Sequence, residues 1–296
     1  MYVSKKNSFR YRYKWVAYSM IAPALIMMAI FVFTPLVMSI GRSFKDSATG
    51  EFVWFENFRY VLIDKIFLRA FLNVIILSSI TTLLIVTSGF LFANVLATLS
   101  PRVGGAVKVL IFLPYLISGI VTSIAFLLML NYGGGLFTSI RYQLGLDAIS
   151  FQTEGLWPYF WIIVPAWWGG FGYNTLVLYA GLLNIPRSYY EAAEIDGANS
   201  AERMFFITIP NLKNYFILLF INLTAGGLQM FEIPMMITGG GPVNKTMTPV
   251  LYLVNNFKGD KPQNTVIAGA LLVMIVISAI NFFVFKTVKS EKSQDA

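Results

Sequence analysis

Six long apolar runs alternate with polar, charged stretches along the 296-residue chain. The runs cover 15–40, 71–99, 107–130, 157–183, 215–237 and 265–288. Each is long enough to cross the hydrocarbon core of a bilayer, which takes about 20 residues of α-helix. Every backbone polar group in lipid must be satisfied within its own segment, so such runs are expected as helices. The pattern predicts an all-α membrane protein with six transmembrane helices in one domain, 1–296. Gly169-Gly170, Gly226-Gly227 and Pro234 interrupt the fourth and fifth runs. The first run is too long for a signal-peptide core and lacks a small-residue cleavage site, so it is expected to be retained as a span. The largest pieces outside the membrane are the loops near 41–70, 131–156, 184–214 and 238–264, too short to hold a soluble domain.

Composition agrees with this reading. The chain is 57% hydrophobic and 12% charged, where soluble domains carry about 25% charged residues. Its net charge of +8 could suggest nucleic acid, but the basic residues sit at segment ends, where they set orientation. Lys5, Lys6, Arg10, Arg12 and Lys14 precede the first span, and Lys286, Lys289 and Lys292 close the chain. Six spans put both ends on one side, and their cationic character makes that side the cytoplasm. The loop after the first span also carries five basic residues (Arg42, Lys45, Arg59, Lys65, Arg69), offset by four acids. Loops 100–106 and 184–214 then face the cytoplasm. Cysteine and histidine are both absent, which removes disulfides, thiolate chemistry and the commonest metal ligand. No metal or cofactor is expected.

The loop 184–214 is the most informative polar segment. Pro186 suits a helix start, and Ser188-x-x-Glu191 has capping-box spacing. Ala192 and Ala193 favour helix and keep one face small. Gly197 permits a left-handed stop. A second start at Asn199 or Ser200 leads toward Pro210, giving helix, bend, helix. Glu191 could serve the cap alone. The longer pattern is more specific: Glu191-Ala192-Ala193, three residues, Gly197, nine residues, Ile207-Thr208-Ile209-Pro210.

That spacing resembles the cytoplasmic coupling motif of bacterial ABC importer permeases, with Ile209 in place of Leu. The resemblance extends to Phe55-Glu56-Asn57-Phe58-Arg59, Asp64, Phe67 and Asn73 ahead of the second span. It extends also to Thr238-Gly239-Gly240-Gly241-Pro242 after the fifth, and covers roughly 10–290. The chain is similar to carbohydrate-type permeases of the maltose, glycerol-3-phosphate and multiple-sugar systems. The resemblance implies a type I importer fold in the bacterial inner membrane. It also implies four kinds of partner: a second permease, two ATPase subunits, an extracytoplasmic binding protein and a sugar cargo. Glu191, Ala192, Ala193, Asp196 and Gly197 would form the element that docks in a cleft of the ATPase.

The chain is expected to hydrolyse no ATP itself. Gly239 to Thr246 has a superficial likeness to a phosphate-binding loop, but Asn244 stands where Gly must precede the Lys, and Pro242 removes a donor. Of fourteen acids, only Glu232 falls inside a predicted span, and an intramembrane carboxyl is by default a functional candidate. With Gln229 it follows Gly226-Gly227. Trp167, Trp168, Gly170 and Asn174 in the fourth span set aromatic faces beside polar groups, suited to the apolar faces and hydroxyls of a sugar. Tyr115 and Ser118 offer a third wall. Tryptophans also anchor at membrane interfaces and small residues also serve helix packing, so both roles stay open. Importers of polyamines, phosphate or amino acids share the coupling motif. An ion-coupled carrier would need more intramembrane ionisable groups than Glu232 alone.

Overall fold

The structure, a computed structural model, describes residues 14–259 and 261–292. Lys5, Lys6, Arg10 and Arg12 of the basic tail lie outside the described residues, as do the side chains of Lys14, Lys289 and Lys292. The described chain is helical, and its one β pairing is an isolated bridge between Lys45 and Phe52. Two compact units divide it: 14–61 with 261–272, and 62–259 with 273–292.

In the first unit, α1 (Lys14–Met28) runs through a π turn at Ala29–Phe33 into α2 (Thr34–Ser43). Thr34 Oγ1 donates to the carbonyl of Ala29 at 2.8 Å across the wide turn. From Val16 to Arg42 no described side chain is buried. The segment after α2 is held by one residue. Asn57, at the start of α3 (Glu56–Leu62), donates to the carbonyls of Ser43 and Lys45, each at 2.9 Å. Its own carbonyl accepts from the hydroxyl of Thr265, also at 2.9 Å. Phe44, Phe55 and Phe58 pack edge to face and tilted beside it. Asn57 is 8% exposed, so each of these bonds lies where an unpaired amide would be costly.

The second unit is built on α4 (Lys65–Thr98), 34 residues and about 50 Å long. Asp64 caps it, accepting from the backbone N–H of Ile66 at 2.8 Å and of Phe67 at 3.4 Å. Along α4 pack α8 (Trp157–Leu183) and α12 (Lys213–Leu228). Where α5 (Pro101–Leu116) crosses α8, a Cβ on Gly172 would land on the backbone carbonyl of Ile111. The close crossing therefore depends on glycine, as small-residue packing in membranes requires. Asn73 donates to the carbonyls of Asn244 at 3.0 Å and Met247 at 2.9 Å. It thereby ties the 238–248 loop, which contains a cis Gly241–Pro242 bond, to the first part of α4.

Among the described residues, four helical stretches are long and apolar enough to cross a membrane: Tyr18–Ser43, Lys65–Thr98, Lys213–Ile237, which breaks at 229–231, and Gln263–Lys286. A fifth candidate is the pair α5 and α6 (Gly119–Met129), bent by 93°. The expected straight span at 107–130 is therefore corrected to two helices that turn at Ile117-Ser118, both extended (ψ 132° and 140°). The helix also begins at Pro101, inside the stretch expected as a loop, and α7 (Leu136–Gln143) lies inside another. α8 coincides with the expected fourth span. Its 27 residues reach about 40 Å, but its Trp, Tyr and Gly content keeps it off the apolar set.

Candidate functional site: a cavity and an exposed loop joined by one helix

The 184–214 loop folds as helix, bend, helix. α9 (Arg187–Ile195) starts behind Pro186 with no side-chain cap. The expected Ser188–Glu191 capping box is not formed, because the helix begins one residue earlier and Ser188 already lies within it. The box forms instead at the second start. Asn199 accepts from the N–H of Ala201 and Glu202 at 2.9 and 3.0 Å, and Glu202 accepts from the N–H of Asn199 at 2.7 Å. Between the helices Gly197 has φ +80°, a left-handed conformation that side chains with a Cβ disfavour. α10 (Ser200–Arg203), a π turn at Met204–Thr208 and α11 (Ile209–Asn211) carry the chain to α12.

Glu191, Ala192, Asp196 and Gly197 are exposed and Ala193 is half-buried. Ile195 is 86% and Phe206 79% exposed, large apolar side chains on an otherwise polar loop. The opposite side of the loop is anchored. Tyr190 and Thr208 hydroxyls share a 3.0 Å hydrogen bond, Asn184 donates to the Tyr215 hydroxyl at 2.9 Å, and Arg203 pairs with Glu194 at 3.6 Å. Ile185, Met204 and Ile209 pack on a buried cluster of Phe90, Ala93, Leu178, Leu212 and Leu219. The loop thus shares a core with α4, α8 and α12.

At the far end of α12 lies a cavity of about 380 Å³, within the range of small-molecule sites. Its walls come from α4, α6, α8, α12 and α13 (Glu232–Ile237). α4 contributes Ser78, Thr81 and Thr82, all buried. Thr81 Oγ1 has no hydrogen-bond partner among the described residues. Asn222, Gly226 and Gln229 of the α12 wall are exposed, so the cavity is open on that side. Glu232 turns its carboxyl against the first residue of α6, where a Cβ on Gly119 would collide with a carboxyl oxygen.

Of the residues singled out in sequence, Gly170, Gln229 and Glu232 line the cavity together. The others are not among its lining residues. Tyr115 stacks on Tyr173 at 4.8 Å, and Trp167 donates to the Ser88 hydroxyl at 2.9 Å. Trp168 meets Phe126 edge to face, Asn174 donates to the carbonyl of Gly170 at 2.7 Å, and Ser118 sits at the N-terminus of α6. Sequence reasoning missed Ser78, Thr81, Thr82 and Asn222. The hydroxyls recur at i, i+3 and i+4, the spacing of one helix face, inside a run whose average apolarity hides them.

In the second unit an exposed helix–bend–helix loop and a half-open cavity are thus joined by one helix. The chain belongs to the family of binding-protein-dependent transport system inner membrane components, whose model matches residues 89–289. It is 28% identical to the lactose transport system permease protein of Rhizobium radiobacter, over 99% of this chain and all of that one. It is 30% identical to the trehalose/maltose transport system permease protein of Thermococcus litoralis, over 91% of this chain and 93% of that one. Among solved structures it resembles a bacterial ABC transporter involved in import of the acidic polysaccharide alginate. That match has a TM-score of 0.85 at 21% identity, over 97% and 99% of the two chains, and establishes the fold.

Proposed function

We propose that this chain is one of two permease subunits of an ATP-driven importer and carries a sugar or oligosaccharide delivered by an extracytoplasmic binding protein. The chain itself is non-catalytic. Energy enters at Glu191, Ala192, Ala193, Asp196 and Gly197, which dock on an ATPase subunit at the cytoplasmic face, with both termini on that side. α8 serves as the sixth span of a single permease domain. Cargo passes along the Gly170, Gln229 and Glu232 wall, with Ser78, Thr81, Thr82 and Asn222 added to it. Tyr115, Ser118, Trp167, Trp168 and Asn174 shape and support that wall from behind.

One observation carries the reading: α12 is unbroken from the docking loop at Lys213 to the cavity at Gly226-Gly227. Thirteen residues of helix are about 20 Å of stiff connection. A displacement of the loop on nucleotide binding therefore reaches the cavity wall directly. A few kcal/mol of differential contact at the loop is enough to reverse the populations of two access states. Hydroxyls and amides in the cavity suit sugar hydroxyls, which both donate and accept. The exposed side of the cavity is where a second permease would complete the pathway.

The test uses vesicles containing the whole importer, loaded with ATP and offered labelled lactose, maltose or trehalose with the binding protein. Uptake should require ATP, survive collapse of the proton gradient, and fall about tenfold or more when Glu191→Lys removes ~1.4 kcal/mol of docking. Uptake that persists without the ATPase subunits, or that follows the proton gradient, would overturn the reading in favour of an ion-coupled carrier.

A further inference from the structure

The cavity is electrostatically one-sided. Among the described residues, Glu232 is its only ionisable lining residue, and neither Lys nor Arg lines it. No cation pairs with Glu232 among the described residues. Its carboxyl lies against the first residue of α6, where unsatisfied backbone N–H groups favour an acid. The rest of the polar lining consists of neutral hydroxyls and amides, with Thr81 Oγ1 buried and unpartnered among the described residues. Such a wall offers hydrogen bonds to a neutral polyol. It holds no Lys or Arg to pair with a phosphate or a uronate, which would shed water in a membrane-embedded site with only neutral donors to receive it. An anion would instead meet an acid.

We propose that Glu232 makes this wall of the pathway anion-rejecting, so that the cargo is a neutral or amino saccharide and not an acidic one. The inference rests on the reading of the cavity as the cargo pathway. The fold does not decide the matter, since the same fold occurs in a transporter of acidic alginate. The charge on this wall is what this chain contributes to the choice.

The chain has no cysteine, so a single introduced thiol reports local potential without knowledge of the cargo. A Cβ at Gly226 would meet no atom within 4 Å, which makes Gly226→Cys the first probe site. Thr82→Cys, nearly isosteric, is the second in case the first does not assemble. The purified importer complex is treated with trimethylammonium-ethyl and sulfonato-ethyl methanethiosulfonate, and modification of this chain is followed by intact mass. Relative to a free thiol, the cationic reagent should react about tenfold faster than the anionic one, as a unit charge several ångströms away implies. Adding Glu232→Gln should bring the ratio to roughly one to two once that charge is gone. Equal rates, a preference for the anionic reagent, or a ratio unmoved by Glu232→Gln would overturn the charge inference and leave the pathway reading standing. If neither thiol reacts in an assembled complex, with or without ATP, the pathway reading itself fails and the inference with it.

Discussion

The two ends of α12 differ in almost every physical respect. The loop end is charged and exposed, and it satisfies its own backbone. Its capping box, its Arg203–Glu194 pair and its shared core with Leu212 and Leu219 are complete within the chain. The cavity end is buried on the α4 side, open on the α12 side and incompletely satisfied, with Thr81 Oγ1 unpartnered among the described residues. On the proposed function, the finished surface, which still exposes Ile195 and Phe206, is the one that is gripped. On the same reading, the unfinished surface is the one that is filled. One continuous helix joins them, and the proposed function uses it as the mechanical link.

The comparison can be broken at either end. The largest effect is expected from filling the cavity. Gly119→Val puts a branched side chain where the Glu232 carboxyl lies, so the flexible acid must swing away from α6 and into the cavity. ATP-dependent uptake should fall beyond detection while the ATPase subunits still co-purify. Next comes the bend. Gly197→Val forces a β-branched residue into the left-handed region at a cost of ~1–2 kcal/mol, so ATPase subunits should co-purify about tenfold less. The reagent ratio at Gly226→Cys should be unmoved in that variant. A smaller effect follows from Asn199→Ala, which removes the capping box and about 1 kcal/mol. Hydrogen exchange at 199–204 should rise roughly fivefold with that loss. The smallest is Arg203→Ala. An exposed ion pair is worth about 0.2–1 kcal/mol, so ATPase activity should change less than about twofold.

The loop was far more legible in sequence than the cavity, for a physical reason. A helix stop at Gly197 and a start at Asn199 are local events set by one residue's backbone freedom and one side chain's reach. Even so, Ser188 and Glu191 mimicked the box that Asn199 and Glu202 form, because the spacing is the same and only the position of the helix start distinguishes them. The cavity is non-local: Ser78, Gly119, Gly170, Asn222 and Glu232 come from five elements. Glu232 and Gly170 stood out as a charge and a gap in apolar runs. Ser78, Thr81 and Thr82 did not, since hydroxyls are common in membrane helices and bond back to their own carbonyls, as Ser78 does to Ile75 at 3.3 Å. The bend at 117–118 lies beside Tyr115 and Ser118, residues assigned to a wall, while Pro114 and Gly119 next to them mark a break.

The link itself is the central claim, and it is tested most directly by the reactivity of the Gly226→Cys thiol in two states of the assembled importer. The rate with a neutral thiol reagent is measured without nucleotide and with ATP trapped by a hydrolysis-deficient ATPase subunit. The two rates should differ by about tenfold, the shift that ~1.4 kcal/mol of coupling produces, and Gly197→Val should abolish the difference. Equal rates in the two states, or a difference that survives Gly197→Val, would contradict transmission from the loop to the cavity through α12.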